Sequence, residues 1–346
     1  MAVGRALPTT YLDQEQILEA LRGLWARKHF NVERLDDLHR AVQVEGRHLA
    51  LPLEAYPELD RFSRQNDAWI RCAQELGGRA IEDALARAGL SPRDVGHLFF
   101  VTVTGIATPS VDARLAWRLG MPPHVKRTPI FGLGCVAGAA GLARAADALR
   151  AHPEDHAVLL SVELCSLTLQ REDLSVANVV ASGLFGDGAA AVVLAGGARE
   201  ARGPAIVATR SVLYPDTERV MGWDVVDSGF KVVLSANVPE VIRQHLRPDV
   251  DRFLAERGLD LSGIRHVVAH TGGPKVLEAI GAALERDRSA LERSWRSLAE
   301  VGNLSSASVL FVLGDLLDSG EAQPGDLGLL VAMGPGFCAE LVLLRW

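Results

Sequence analysis

The sequence predicts a layered α/β protein made of two similar halves. Three observations carry this expectation. Short apolar strands alternate with helical stretches along the chain. One passage of strand, turn, helix, Gly-X, helix and strand occurs twice at matching spacing. The composition, 346 residues with 48% hydrophobic and 23% charged, supplies one large or two medium soluble domains with an ample core.

The elements follow in order. Residues 14–28 and 58–89 read as helices. In the second, Ala68, Cys72, Leu76 and Ala80 recur at helical spacing, and Gly89 stands where a C-terminal cap belongs. His97-Leu-Phe-Phe-Val-Thr-Val103 is apolar and β-branched, so it reads as a buried strand. Ala137 to Leu149 is a small-residue helix opening just after Gly132-Leu-Gly-Cys135, and His156 to Val162 is a second buried strand. Residues 196–204, Gly-Gly-Ala-Arg-Glu-Ala-Arg-Gly-Pro, mark the boundary between an expected N-terminal half, 1–200, and a C-terminal half, 201–346.

The repeat is visible in the spacing. From His97 to Cys135 is 38 residues, and from His266 to Asn303 is 37. Gly134-Cys135 and Gly302-Asn303 each open a small-residue run and a helix, and apolar strands follow at Val158–Val162 and Leu327–Met333. Cys135 and Asn303 are therefore expected at equivalent helix starts, facing each other across a pseudo-twofold axis.

Charge and cysteine usage exclude several functions. The formal net charge of −7 gives no reason to expect nucleic-acid binding. Cys72, Cys135, Cys165 and Cys338 form no Cys-x-x-Cys and no disulfide framework, so neither zinc nor an iron–sulfur cluster is expected. The start, Met1-Ala-Val-Gly-Arg, lacks the apolar core of a signal peptide, and no apolar run reaches the roughly 20 residues of a transmembrane segment. A cytoplasmic protein is expected.

Three residues stand out chemically. Cys135 lies at a helix N-terminus, where free N–H groups and the dipole favour a thiolate; a small buried structural cysteine is the competing reading. His270 ends a strand before Gly272-Gly273, where α/β folds place reactive groups, although such a histidine also serves to hold the turn. Asn303 starts a helix, a position where asparagine is also an ordinary cap. Together a Cys, a His and an Asn at element ends are more informative than any one. Gly183-Leu-Phe-Gly-Asp-Gly188 reads as a turn before a strand and Met333-Gly-Pro-Gly-Phe337 as a tight loop; neither is a phosphate-binding P-loop.

These passages resemble a known family. Gly-Leu-Gly-Cys135-Val-Ala-Gly-Ala-Ala-Gly, Gly-Leu-Phe185-Gly-Asp-Gly, His270-Thr-Gly-Gly-Pro-Lys, Gly-Asn303-Leu-Ser-Ser-Ala-Ser and Gly334-Pro-Gly-Phe are similar, in order along nearly the whole chain, to type III polyketide synthases of the chalcone-synthase-like kind. The stretch Ser161 to Thr168 looks most like bacterial alkylpyrone-forming members. The resemblance implies a thiolase-like fold, a duplicated five-layer αβαβα architecture. It implies Cys135 as nucleophile, paired with His270 as thiolate and imidazolium, and His270 with Asn303 as donors to the enolate oxygen formed when malonyl-CoA loses CO₂. It implies Phe185 and Phe230 as gate aromatics, and Thr104, Cys165, Thr168 and Ser305 as pocket-lining residues. It places Gly334, Pro335 and Gly336 in a loop at the site, Glu163 behind it, and Thr108 at a homodimer interface. No cofactor is implied, since the substrates are malonyl-CoA and an acyl-CoA, for which a medium or long fatty chain and an alkylpyrone product are expected. An alkylresorcinol product, a ketoacyl-carrier-protein synthase and a silent scaffold of the same fold are the alternatives. The acidic total must conceal a local basic entrance for CoA, with Lys28, Arg34, Arg40 and Arg47 in the right region.

Overall fold

The computed structural model describes residues 1–25 and 32–346; Lys28 lies outside them. The first half runs β1 (Ala2–Ala6), β2 (Thr10–Asp13), α1 (Gln14–Trp25), α2 (Val32–Ala41), β3 (Gly46–Leu49), α3 (Phe62–Ala88), β4 (Val95–Thr102), α4 (Val111–Leu119), β5 (Lys126–Phe131), α5 (Ala137–Ala151), β6 (His156–Leu164), α6 (Val176–Leu184) and β7 (Asp187–Ala195). The second runs β8 (Ala205–Leu213), β9 (Met221–Val226), β10 (Gly229–Leu234), α7 (Val238–Ala255), β11 (Ile264–Ala269), α8 (Pro274–Ala283), α9 (Glu292–Val301), α10 (Ser308–Ser319), β12 (Leu327–Gly334) and β13 (Cys338–Arg345). The helix expected from residue 58 starts at Phe62 instead. Pro57 sits in a separate 3-10 turn, Leu53–Glu58, and Arg61 is extended. Gly89 caps that helix in the left-handed region, with φ 68°.

The two main sheets share one topology. The first has the order β1-β7-β6-β4-β5 and the second β8-β13-β12-β11. In each, one parallel pair (β4 with β6, β11 with β12) is followed by two antiparallel pairings, β6–β7–β1 in the first and β12–β13–β8 in the second. The second half has no strand equivalent to β5; α9 occupies that stretch of chain.

Strand periodicity decides the layering. Leu98 and Phe100 face α3, while Phe99 and Val101 face the centre. Leu329 and Val331 face α7 and α8, while Leu330 and Ala332 face the centre. The central layer is α5 and α10, whose Leu142, Leu149, Leu310 and Leu313 pack between both sheets. Five layers result, α3, sheet, α5 with α10, sheet, α7 with α8, in the thiolase-like αβαβα arrangement.

The two central helices approach very closely. A Cβ at Gly138 would lie 2.2 Å from the Ser306 carbonyl oxygen, so only glycine fits. Counted from the helix starts, the counterpart of Cys135 is Ser306, not Asn303. Cys135 lies inside the 3-10 turn Gly134–Val136 that leads into α5, whereas the matching turn before α10 is Ser305–Ala307. Asn303 lies ahead of that turn, in an isolated bridge with Phe185. The sequence match on Gly-X was displaced because the Asn303 side chain organises its own turn before the helix begins.

Candidate active site

Cys135, His270 and Asn303 line one small cavity of about 50 Å³, reached from three different elements. The turn before α5 supplies Cys135. The end of β11 supplies His270, whose backbone N–H donates to the Val331 carbonyl at 2.9 Å. The segment between α9 and α10 supplies Asn303, tied to the α6 end through its N–H to the Leu184 carbonyl at 2.9 Å. All three are buried, at 6%, 3% and 2% exposure.

Their hydrogen bonds orient them. Asn303 Oδ1 accepts from the Ser305 N–H at 2.8 Å and the Ser308 hydroxyl at 3.3 Å. With its oxygen held, the amide has its NH₂ donors left for the cavity. His270 Nδ1 has no hydrogen-bond partner among the described residues. The Cys135 thiol donates to Ser305 Oγ at 3.6 Å.

Burial sets the resting protonation. It pushes the Cys135 thiol up to about 12, with a smaller rise from Glu163, and pulls the His270 imidazolium down to about 4. Both shifts work against the thiolate–imidazolium pair that the resemblance implies. Removing both groups from water favours thiol and neutral imidazole.

Glu163 sits directly behind the site and is not among the residues lining the Cys135 cavity. Its Oε2 accepts from the Val103 N–H at 3.1 Å and the Thr104 hydroxyl at 2.9 Å, and its Oε1 accepts from the Ser306 hydroxyl. Burial raises this carboxyl to about 7.

A second, larger cavity of about 300 Å³ adjoins the first. Cys165, Phe185, Trp223 and Val232 line both. Its walls are mainly apolar, with Ile17, Leu21 and Leu24 of α1 opposite Leu49, Leu53 and Leu59. Thr168 lines it, with its hydroxyl donated to the Cys165 carbonyl at 2.8 Å. Cys165 is buried and its thiol pushed well up by desolvation, as befits an inert wall.

Several expected lining residues fall elsewhere. Phe230 lines neither cavity. It is buried edge-on against Phe62, with ring centroids 5.2 Å apart, and props Trp223 at 6.4 Å. Thr104 lines neither, because its hydroxyl also accepts the Leu164 N–H at 2.9 Å and the Trp69 indole N–H at 3.2 Å. Gly334 and Gly336 only shape their loop. A Cβ at Gly334 would lie 2.7 Å from the Val136 nitrogen, and Gly336 has φ +121°. Pro335 does reach the Cys135 cavity, as does Ser305. Thr108 is exposed on a surface loop beside the edge strand β5, in a cleft with Phe131. Arg34 and Arg40 are exposed, but Arg47 is 1% exposed and too deep to stand at an entrance for CoA.

Sequence reasoning missed the β9–β10 hairpin. Trp223 and Val232 are direct cross-strand partners and together form the wall shared by the cavities. The signal was present: Asp227-Ser228-Gly229 separates two short runs rich in valine.

A cysteine at a helix start, faced by histidine and asparagine at the junction of two fused α/β halves, defines a thiolase-fold condensing enzyme. Models of the chalcone and stilbene synthase N-terminal and C-terminal domains match residues 1–198 and 205–346. The chain belongs to this family, the type III polyketide synthases, acyltransferases that join acyl units by Claisen condensation. It is 53% identical to a 1,3,6,8-tetrahydroxynaphthalene synthase of Streptomyces peucetius subsp. caesius, over all of this chain and 92% of that protein. It is 36% identical to a putative chalcone synthase of Bacillus subtilis, over all of this chain and 98% of the relative. The crystal structure of 1,3,6,8-tetrahydroxynaphthalene synthase from Streptomyces coelicolor A3(2), a bacterial type III polyketide synthase, superposes with TM-score 0.95 at 34% identity, covering 100% of this chain and 98% of that one.

Proposed function

We propose that this synthase builds a polyketide on Cys135 from malonyl-CoA, serving as both starter and extender, and releases a 1,3,6,8-tetrahydroxynaphthalene-type product. The observation that carries the catalytic part is the convergence of Cys135, His270 and Asn303 on one small cavity. The identity to the Streptomyces peucetius relative over the whole chain supports the product.

The steps follow from the residues. The Cys135 proton passes to the His270 imidazole as the sulfur attacks the thioester carbonyl, and CoA leaves with that proton. Malonyl-CoA then loses CO₂, and its electron pair forms an enolate whose oxygen meets the donors of His270 and the Asn303 NH₂. The enolate carbon attacks the acyl-Cys135 carbonyl, a C–C bond forms and the Cys135 sulfur departs. CO₂ loss itself generates the carbanion, so no metal or cofactor enters the scheme. The site draws on both halves, and we propose that 1–200 and 201–346 do not function apart.

A second reading, a medium or long fatty acyl-CoA starter giving an alkylpyrone, or an alkylresorcinol by aldol closure, is favoured by one feature, the apolar walls of the larger cavity. Purified protein given malonyl-CoA alone, then with acyl-CoAs of graded length, decides between them. A pentaketide naphthol from malonyl-CoA alone supports the first; products formed only with alkyl starters overturn it.

We further propose a cytoplasmic homodimer. The exposed edge strand β5, with Phe131 52% and Ile106 45% exposed beside Thr108, supplies an unpaired surface for a second copy. Sedimentation showing a monomer at micromolar concentration would refute this.

A further inference from the structure

Two histidines and a carboxylate cluster at the end of α5 remote from Cys135. The helix spans 15 residues, about 22 Å at a rise of 1.5 Å each, and His152 closes it. His152-Pro153-Glu154-Asp155 is a turn, with the Asp155 N–H donated to the His152 carbonyl at 3.1 Å. It brings both side chains to His97 on β4, whose buried Nε2 donates to Asp155 Oδ2 at 3.1 Å. A Cβ at Gly96 would lie 3.1 Å from that carboxylate, so the glycine leaves the room it uses. The His97 and His152 rings are 5.1 Å apart. One ligand atom from each of the three residues lies within 4.8 Å of the others, and among the described residues no other three His, Cys, Asp or Glu side chains meet so closely.

The cluster already attracts a cation. Lys126, the first residue of β5, has its Nζ 2.9 Å from His152 Nε2. An ammonium only donates, so that nitrogen presents a lone pair. The α5 C-terminus, the negative end of the helix dipole, adds to the attraction. Lys126 is exposed, so its ammonium can swing into water. Two imidazole nitrogens and one carboxylate oxygen, with further positions open to water, are a donor set for a zinc-type divalent ion. Tetrahedral ligation at about 2.0–2.1 Å sets donors about 3.3 Å apart. The His97–Asp155 spacing already meets this, and a side-chain rotation of the exposed His152 closes the rest.

We propose that His97, His152 and Asp155 bind a divalent transition ion of the zinc class, through the two Nε2 atoms and an Asp155 oxygen, with water completing the shell. The ion displaces the Lys126 ammonium, and the His97 proton passes from Nε2 to Nδ1. It pins the C-terminus of α5 to the starts of β4 and β6. The second half holds the same clasp without the third ligand: His266 meets Asp326 at 3.0 Å, and the ring beside it is Trp346, 5.5 Å away. The site uses none of the four cysteines and stands apart from the condensation chemistry.

Titration of the full chain with zinc chloride, and separately with cobalt(II) chloride, tests the site. Calorimetry should show one zinc per chain with a Kd of about 10 µM or tighter. His152→Ala should weaken binding at least about tenfold; the side chain is exposed, so its removal leaves the fold intact. Lys126→Gln, which removes the competing ammonium, should tighten binding at least about twofold. His266→Ala, in the clasp of the second half, should bind as the wild type does. The first equivalent of cobalt should give d–d absorption without a thiolate charge-transfer band, a readout that needs no variant. A weaker wild-type Kd, unchanged affinity in His152→Ala, or a thiolate band at the first equivalent would overturn the proposal.

Discussion

The two halves carry the same sheet topology and put it to different uses. Each keeps a His–Asp clasp at the same place, where the first parallel strand begins. His97 meets Asp155 at 3.1 Å in the first half, and His266 meets Asp326 at 3.0 Å in the second. Around these clasps the halves have diverged. The first retains β5 as an exposed edge strand and sets its helix-start turn at Gly134–Val136, which delivers the cysteine into the cavity. The second replaces that strand with α9 and begins its helix later, so Asn303, ahead of the turn, reaches the cavity together with Ser305 of the turn. A duplicated scaffold thus places nucleophile and donors on opposite sides of one junction. The positions that act are those where the symmetry is broken.

The largest expected effect separates the contributions of the halves. Cys135→Ala should abolish acyl-enzyme formation, read as loss of the mass increment on the intact protein, with product falling by roughly a thousandfold or more. Asn303→Ala should still load an acyl group yet fail to release CO₂ from malonyl-CoA, by roughly a hundredfold. Loss of loading in Asn303→Ala would erase the proposed division of labour.

The resting state of the pair spanning the junction is open to titration. Because burial holds Cys135 as a thiol, inactivation by iodoacetamide should rise about tenfold per pH unit between pH 6 and 9. A plateau below pH 7 would mean that the two halves share the proton as an ion pair.

The junction itself should be intolerant of added volume. Gly138→Ala places a methyl against the Ser306 carbonyl and should cost about 1–3 kcal/mol, measured by urea unfolding. Gly197→Ala, in open space on the connection between the halves, serves as the control and should cost far less.

The smallest effect concerns Glu163, which joins the halves through Ser306. Its folded pKa of about 7 lies above the ordinary 4.5. The folded state therefore holds a proton that the unfolded chain releases between those values. Stability falls as pH rises through that window. Glu163→Gln, which mimics the protonated form, should shrink the loss of stability between pH 5 and 8 by an amount on the order of 2 kcal/mol. An unchanged pH profile would show that Glu163 ionises freely in the folded protein.

Local order in the chain accounts for much of what could be read from it. The buried runs at His97, His156 and Leu327 specify strands because a strand covered on both faces must be continuously apolar. Gly89 specifies a helix end because it alone takes a positive φ there without strain. The Gly-rich surroundings of Cys135, His270 and Asn303 marked those residues as candidates, since reactive side chains need close approach of backbone and substrate at element ends. Repetition of one passage at nearly equal spacing was enough to indicate a duplicated α/β body.

Tertiary structure alone decided the rest. Nothing local in Gly46-Arg47-His48 says that the guanidinium is buried; that follows from how β3 packs against α9 and β7, which carries the guanidinium to the Ser182 carbonyl of α6. Phe230 and Trp223 lie on neighbouring strands with similar local patterns, and only the diagonal offset across the hairpin makes one a prop and the other a wall. The protonation of Cys135 could not be read from its helix terminus either. The helix dipole is a property of sequence-local geometry, whereas desolvation depends on every layer packed around the thiol, and here it pushes the thiol up.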